Sequence, residues 1–412
     1  MSDIIHEVNK IRNVPHTELR LLIKRVIVIL SSPRSGSSLI KSILASHPDI
    51  ASLDGEIEPY LALTKNGFGY NSDCDAIDFV SNLDQLADNI FDDLTVPSLE
   101  PMPAQQLKEK WKNRMLLQFP SLFTDKNELI KLNKLFDETL HSASIDKIFD
   151  EQEWQATKLS SLFRNEPWRI CYYDGKFHSD RRIYFDEAIK IEEPPFVLPR
   201  RHRRQFAKSD IDQKILLFKT PPDAYRIGMY ENIFPNAEIK YFHLTRGYAQ
   251  SVNGLIDGWF SPVGFFSHDM ERVGMHLDIK GYSDTLKFGK RWWKFELPPN
   301  WKDFTSSCLE DVCLNQWISP HKAILTSGIK TTRISFEDFL SSPASITNKI
   351  VKHIGLREFK FQAPFQFVMA TEIPKPMRWK KRENQLLEIG KRCEVKEMMK
   401  SLDYEMDPGT WI

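Results

Sequence analysis

The chain has no apolar run that approaches the roughly 20 residues a membrane-spanning helix needs. Its longest candidate, Leu21 to Leu30, is broken by Lys24 and Arg25. It also has no excess of either charge, since 56 lysines and arginines stand against 56 aspartates and glutamates. That balance speaks against a dedicated nucleic-acid coat or a polybasic membrane binder. Neither partner is expected, and any hold on a charged ligand must come from local clusters. Cysteine is scarce: Cys74, Cys171, Cys308, Cys313 and Cys393 are scattered and include no CxxC pair. A disulfide framework and a cysteine-rich zinc site are thereby excluded. No internal period of about 20–50 residues is evident, which removes solenoids and propellers. With the charged opening MSDIIHEVNK, these absences lead to the expectation of a soluble, cytoplasmic protein of a reducing compartment.

What is present suits one large α/β domain. Apolar residues make up 41% of 412 and charged residues 27%, enough to bury a core. Short β-branched or apolar runs are each followed by a helical pattern: Arg25–Leu30 before Gly36–Ser46, Lys214–Lys219 before Asp223–Phe234, Glu238–Leu244 before Tyr248–Ile256, and Thr332–Phe336 before Ser342–His353. Continuous apolar strands alternating with helices predict a parallel sheet covered on both faces, a three-layer α/β/α arrangement. Two stretches interrupt the rhythm. Residues 67–212 are mostly helical in pattern, and residues 259–301 are irregular and crowded with aromatics. Both are expected to be insertions into a single domain spanning 1–412, the alternative being an independent helical domain over 67–212.

The most informative stretch is VIVILSSPRSGSSLIKSILASHPDI, Val26 to Ile50. An apolar strand runs into Ser31-Ser32-Pro33-Arg34-Ser35-Gly36-Ser37-Ser38 and then into an amphipathic helix. A Gly- and Ser-rich turn at a helix N-terminus offers unpaired N–H groups and the positive end of the helix dipole, an anion site. Arg34 adds a forked cation suited to phosphate or sulfate oxygens. Against the Walker A pattern GxxxxGK[ST], Gly36 and Ser38 fit, but the first glycine is Ser31 and the lysine is Ser37. An ordinary ATP-dependent kinase reading is weakened by that missing lysine.

PRSGSS with its leucine-rich helix and HPDI resembles the 5′-phosphosulfate loop of sulfotransferases that use 3′-phosphoadenylyl sulfate (PAPS). Lys219-Thr220-Pro221 looks like the KTP or KDP step of that family. FPNAEIKYFHLTRGYAQSVNGLIDGW is similar to its 3′-phosphate block, TTRISFEDFLSSPASITNKIVKHIGL to its third block, and RWKKRENQLLEIGKRCEVKEMMKSLDYE to its closing C-terminal helix. The resemblance implies a P-loop sulfotransferase fold and transfer of a sulfuryl group from PAPS to a hydroxyl or amine of a small molecule, leaving 3′-phosphoadenosine 5′-phosphate (PAP), with no metal. A natural-product tailoring member is one such possibility.

On that resemblance Arg34, Ser35, Gly36, Ser37 and Ser38 hold the 5′-phosphosulfate, Lys219 stabilises the leaving phosphate, and Arg246 holds the 3′-phosphate. The family's serine eight positions after that arginine is Gly254 here, so Ser251 is taken as the second 3′-phosphate ligand, with Asn253 nearby. Arg378 and Lys380, flanking Trp379, either cover a nucleotide phosphate or begin a charged helix. Members that act on protein tyrosines place a glutamate base in a comparable context, which maps to Glu56, with Glu58 second. His47 and His243 are not preferred, the first fitting a turn and the second lying within a strand.

Three further readings concern the acceptor. The aromatics Trp259, Phe260, Phe265, Phe266, Trp292, Trp293, Phe295 and Trp301 form either a lid that excludes water or a packing cluster. Between Asn66 and Leu107 there is no lysine or arginine but eight acids: Asp73, Asp75, Asp78, Asp84, Asp88, Asp92, Asp93 and Glu100. If they border the pocket, they favour a cationic acceptor such as an alkaloid; otherwise they are a solvated face. The basic cluster Arg200-Arg201-His202-Arg203-Arg204 is read as an exposed loop. The competing functions are a P-loop phosphotransferase using ATP and magnesium, and a non-catalytic nucleotide-binding protein.

Overall fold

The computed structural model describes residues 2–142, 159–163, 166, 169, 189–361 and 370–411. Seven strands form the main sheet: β1 (Arg25–Ser31), β2 (Ile50–Ser52), β3 (Thr95–Pro97), β4 (Arg203–Gln205), β5 (Ile215–Phe218), β6 (Glu238–Thr245) and β9 (Thr331–Ser335). Their order is β4-β3-β2-β5-β1-β6-β9. The five from β2 to β9 are parallel, whereas β3 and β4 run antiparallel at one edge. A separate antiparallel pair joins β7 (Phe266–Asp269) to β8 (Trp292–Lys294).

The predicted βα units are all present, with boundaries shifted by at most four residues, except that Asp223–Phe234 is split into a short 3₁₀ turn (Pro221–Tyr225) and a helix (Met229–Ile233). β1 is buried on both faces, which is why it is an unbroken apolar run. Val26, Val28 and Leu30 point into the larger core. Ile27 and Ile29 point the other way, toward Ile40 and Leu44 of the helix Ser37–Leu44 and Ile350 of the helix Pro343–His353.

Segment 67–212 carries helices at Leu83–Asp93, Ala104–Gln118 and Lys126–Ser142, but it also supplies β3 and β4 to the main sheet. Its described part is therefore built into the sheet's edge; residues 143–158 and 170–188 lie outside the described residues. The basic cluster is corrected at the same place. Arg203 is buried in β4, where its guanidinium donates to the Thr95 hydroxyl (2.6 Å) and carbonyl (2.9 Å), to the Ala45 carbonyl (3.0 Å) and to the Ser52 hydroxyl (3.1 Å). A run of arginines mimics a solvated loop in sequence because nothing local marks the one whose fork fits four acceptors.

Candidate active site

Parallel order fixes where the site must be. β5, β1 and β6 are neighbours, with Val28 opposite Phe218 and Ser31 opposite Leu244, so the residues following each strand emerge side by side at one edge. That is where an open parallel sheet places ligand-facing groups. After β1 comes the Ser32–Gly36 turn, after β5 comes Lys219, and after β6 comes Arg246. β9 ends beside β6, with Ser335 opposite Thr245, and so delivers Phe336. A cavity of about 530 Å³ opens there, lined by Arg34, Gly36, Ser37 and Ser38, by Lys219 and Glu56, and by Arg246 and Arg378, among others.

The turn is built for a close approach. Gly36 has φ +88°, and a Cβ on it would lie 2.1 Å from the Phe336 ring, so no other residue fits without displacing that ring. Arg34 itself has φ 62°. Its carbonyl accepts from Arg246 Nη1 (2.9 Å), its guanidinium lies 5.2 Å from the Phe265 ring centre, and Arg246 stacks 4.9 Å from that of Phe336. Three guanidinium groups thus share one end. Burial first, then the neighbouring Arg246 and Arg378, push the Arg34 guanidinium down to about 10. Burial likewise lowers Arg246, with Glu337 opposing. Arg378 is held by Asp257 (2.7 Å) and Glu372 (3.1 Å). A desolvated cluster of like charges is a binding surface for a polyanion.

Not every expected ligand reaches this cavity. Ser35 and Ser251 are fully buried and do not line it. Position 254 is glycine where Arg34 passes: a Cβ there would sit 3.3 Å from that arginine's Cβ, so Arg34 occupies the place beside residue 254. Lys380 is exposed over Trp379 and does not line the cavity either, whereas Arg382 turns inward to Asn253 (2.6 Å) and Asp257 (2.8 Å). The two unpreferred histidines have structural partners. His47 bonds the Arg357 carbonyl and the Asp49 N–H, and buried His243 faces His321 at 2.8 Å and is pushed down to about 4 by burial.

Lys219 and Glu56 meet directly: the ammonium donates to Glu56 Oε1. Glu56 sits on a turn fixed from below by Lys41, one helical turn into Ser37–Leu44. Its buried ammonium donates to the carbonyls of Leu53, Asp54 (3.2 Å) and Gly55 (3.1 Å), and its pKa falls to about 7, mainly through burial. The Ser32–Gly36 turn and the Glu56 carboxylate are thus tied to one helix. No sequence pattern marked Lys41, because its partners are backbone carbonyls. Glu58 is instead clamped by Arg226, which also holds Asp75.

Beyond Lys219 carboxylates enter the lining. Glu58, Asp75, Glu193 and Glu296 line the cavity together with His268, the cations Lys190 and Arg272, and Phe68, Tyr70, Phe265, Phe266 and Phe295. Of the eight acids between Asn66 and Leu107, only Asp75 lines it; Asp73, Asp84, Asp88, Asp92 and Asp93 pair with Lys302, Arg20, His16 or Arg12 instead. The aromatic segment divides the same way. Phe265 and Phe295 stack at 4.7 Å on the cavity wall with Phe266 beside them, while Trp259, Trp293 and Trp301 are core and Phe260 is exposed.

No protein-family model matches the chain, and no curated protein matches it. Among solved structures it is similar to the sulfotransferase domain from the curacin biosynthetic pathway, at 13% identity over 93% of this chain and 99% of that chain, with a TM-score of 0.35. It is similar to the sulfotransferase domain of the Synechococcus PCC 7002 olefin synthase at 11% identity, covering 93% and 96%, with a TM-score of 0.34. A third is a sulfotransferase from Alicyclobacillus acidocaldarius, at 10% identity, covering 93% and 97%, with a TM-score of 0.32. Among the described residues there is no cluster of potential metal ligands and no helix long and apolar enough to cross a membrane.

Proposed function

We propose that this protein transfers a sulfuryl group from PAPS to a small-molecule acceptor. The observation that carries the reading is the meeting of Arg34, Arg246 and Arg378 at one end of a cavity whose middle is the Lys219–Glu56 pair. The residues suit an adenosine nucleotide with phosphates at both ends: the Gly36–Ser38 turn and Arg34 would hold the 5′ group, Arg246 and Arg378 the 3′-phosphate. When bound, PAPS supplies the sulfuryl group, whose bond to the 5′-phosphate breaks as the bond to the acceptor forms, leaving PAP.

The chain's part is positioning and charge neutralisation, as in phosphoryl transfer. Lys219 would neutralise the charge that grows on the leaving phosphate. Glu56 would take the acceptor's proton. An anion beside Lys219 competes with Glu56 for the ammonium, so nucleotide binding loosens the pair and frees the carboxylate for that proton. Phe265, Phe266 and Phe295 would keep water from the activated group. Domain limits of 1–412, with 259–301 acting as an acceptor lid, belong to the same proposal.

A thermal-shift comparison of PAP, ADP and ADP with magnesium tests it, since a ligand that binds only the folded state raises Tm. PAP should give the largest rise, and turnover with PAPS should follow. A preference for ADP with magnesium would overturn the reading in favour of a phosphotransferase; PAP binding without turnover on any acceptor would leave a nucleotide-binding protein.

A further inference from the structure

We infer that the far end of the cavity is an acceptor subsite for a hydroxylated organic cation, held through a protonated amine or guanidinium group by Glu296 and Glu193. The inference rests on the sulfotransferase reading and names the acceptor class. Among the described residues four carboxylates besides Glu56 line the cavity, and they are not equivalent. Asp75 is saturated: it accepts from Arg226 (3.5 Å), from His268 (2.8 Å) and from the Leu297 N–H (2.6 Å). Glu58 is clamped by Arg226. Glu193 accepts one bond, from the Ser267 hydroxyl at 2.7 Å. Glu296 is 2% exposed, lines the cavity, and neither of its carboxylate oxygens has a hydrogen-bond partner among the described residues.

A buried carboxylate with no donor is costly when ionised. Such a group needs a reason to be kept, and completion by a ligand is the one its place on the cavity wall suggests. The cations near this wall each have contacts of their own, and two of them, Lys190 and Arg272, line it. Lys294 donates to the Ser261 and Gly264 carbonyls (2.6 and 2.8 Å), Lys190 lies 3.8 Å from the Trp292 ring centre, and Arg272 lies 5.0 Å from that of Tyr70. Burial holds both Glu296 and Glu193 above the ordinary carboxylate range, the latter at about 7. Phe68 and Phe295 line the same wall, while the Phe266 ring already carries Lys294 (3.5 Å) and Lys190 (4.8 Å) and the Phe265 ring lies 5.2 Å from Arg34; carboxylates among aromatic rings suit an organic cation better than a metal ion.

The cation is a handle and not the nucleophile, because a protonated amine or guanidinium has no available lone pair. A hydroxyl on the same molecule therefore meets Glu56, which removes its proton as the new S–O bond forms and the bond to the 5′-phosphate breaks.

The test is binding to the PAP-saturated protein of three phenols matched in shape: tyramine (cation), 4-ethylphenol (neutral) and 3-(4-hydroxyphenyl)propionate (anion). Tyramine should bind at least ~10-fold more tightly than 4-ethylphenol, and the anion most weakly. Glu296→Gln and, separately, Glu193→Gln should reduce that preference while leaving the PAP thermal shift unchanged. Equal affinity for cation and neutral phenol, absence of binding by all three, or a preference that survives in both variants would overturn the proposal. Loss of the PAP shift in the unmodified protein would instead strike the nucleotide reading, so the two failures are distinguishable.

Discussion

The two ends of the cavity are made from opposite charges and opposite kinds of chain. At the basic end Arg34, Arg246 and the Gly36 turn stand directly after β1 and β6, so their positions follow from strand order and register. At the acidic end Glu58, Asp75, Glu193, His268 and Glu296 come from five separate places in the chain, mostly turns and the small β7–β8 pair. One end repeats a geometry that any parallel sheet provides, while the other is assembled by packing alone. Chemistry shared among enzymes of one reaction belongs on the first, and discrimination between acceptors belongs on the second.

Lys219 sits at the boundary, and replacing it should break the comparison most severely. Lys219→Met is expected to lower turnover by about 10²–10³-fold, the usual cost of removing a group that stabilises transition-state charge. PAP binding should change much less, because Arg34, Arg246 and Arg378 remain. Single-turnover rates and the PAP thermal shift measured on the same variant separate the two; equal losses would assign Lys219 to binding alone. Next in size is Arg246→Met, which removes one of three guanidinium groups and the anchor on the Arg34 carbonyl. PAP affinity should fall by ~10–100-fold, while the preference for tyramine over 4-ethylphenol stays as it was. If that preference fell in step with PAP affinity, the two ends would not be independent.

The same contrast explains what could be read from the residues alone. The strands β1, β5, β6 and β9 are β-branched or apolar runs with helical patterns behind them, so sheet, turn and the Arg34–Lys219–Arg246 set were all legible. β2, β3 and β4 are three residues each, too short to show a period, and Arg203 in β4 was misread as surface for that reason. Ser35, Ser251 and Lys380 matched a pattern of spacing but do not line the cavity, since spacing along the chain does not fix which residues a cavity exposes. Glu193 and Glu296 carry no local signal. The acidic wall was anticipated from the run between Asn66 and Leu107, yet that run contributes Asp75 alone, since its other paired members are neutralised by partners as distant as Arg12 and Lys302.

The smallest effect concerns stability and has a defined sign. Burial raises Glu193 to about 7, with the Ser267 hydroxyl opposing and Glu56 adding to the rise. In the unfolded chain it titrates near the ordinary glutamate value of about 4.3. Between those two values the folded state holds a proton that the unfolded state has lost, so the contribution of Glu193 to stability is fully present below about pH 4.3 and disappears as pH rises through about 7. His243, pushed down to about 4, works in the opposite direction: the unfolded state binds the extra proton below about pH 6.5, so its contribution is lost as pH falls. Glu193→Gln removes the first slope and leaves the second. The variant should therefore match the parent near pH 4.5 and exceed it by about 1 kcal/mol at pH 8, a figure held low because the Glu193 side chain opens onto the cavity. Urea unfolding at the two pH values reads the difference directly. A variant less stable than its parent at pH 8 would mean that Glu193 is already paired in the empty cavity, and the acidic end would then resemble the basic end's Arg378, satisfied before any ligand arrives.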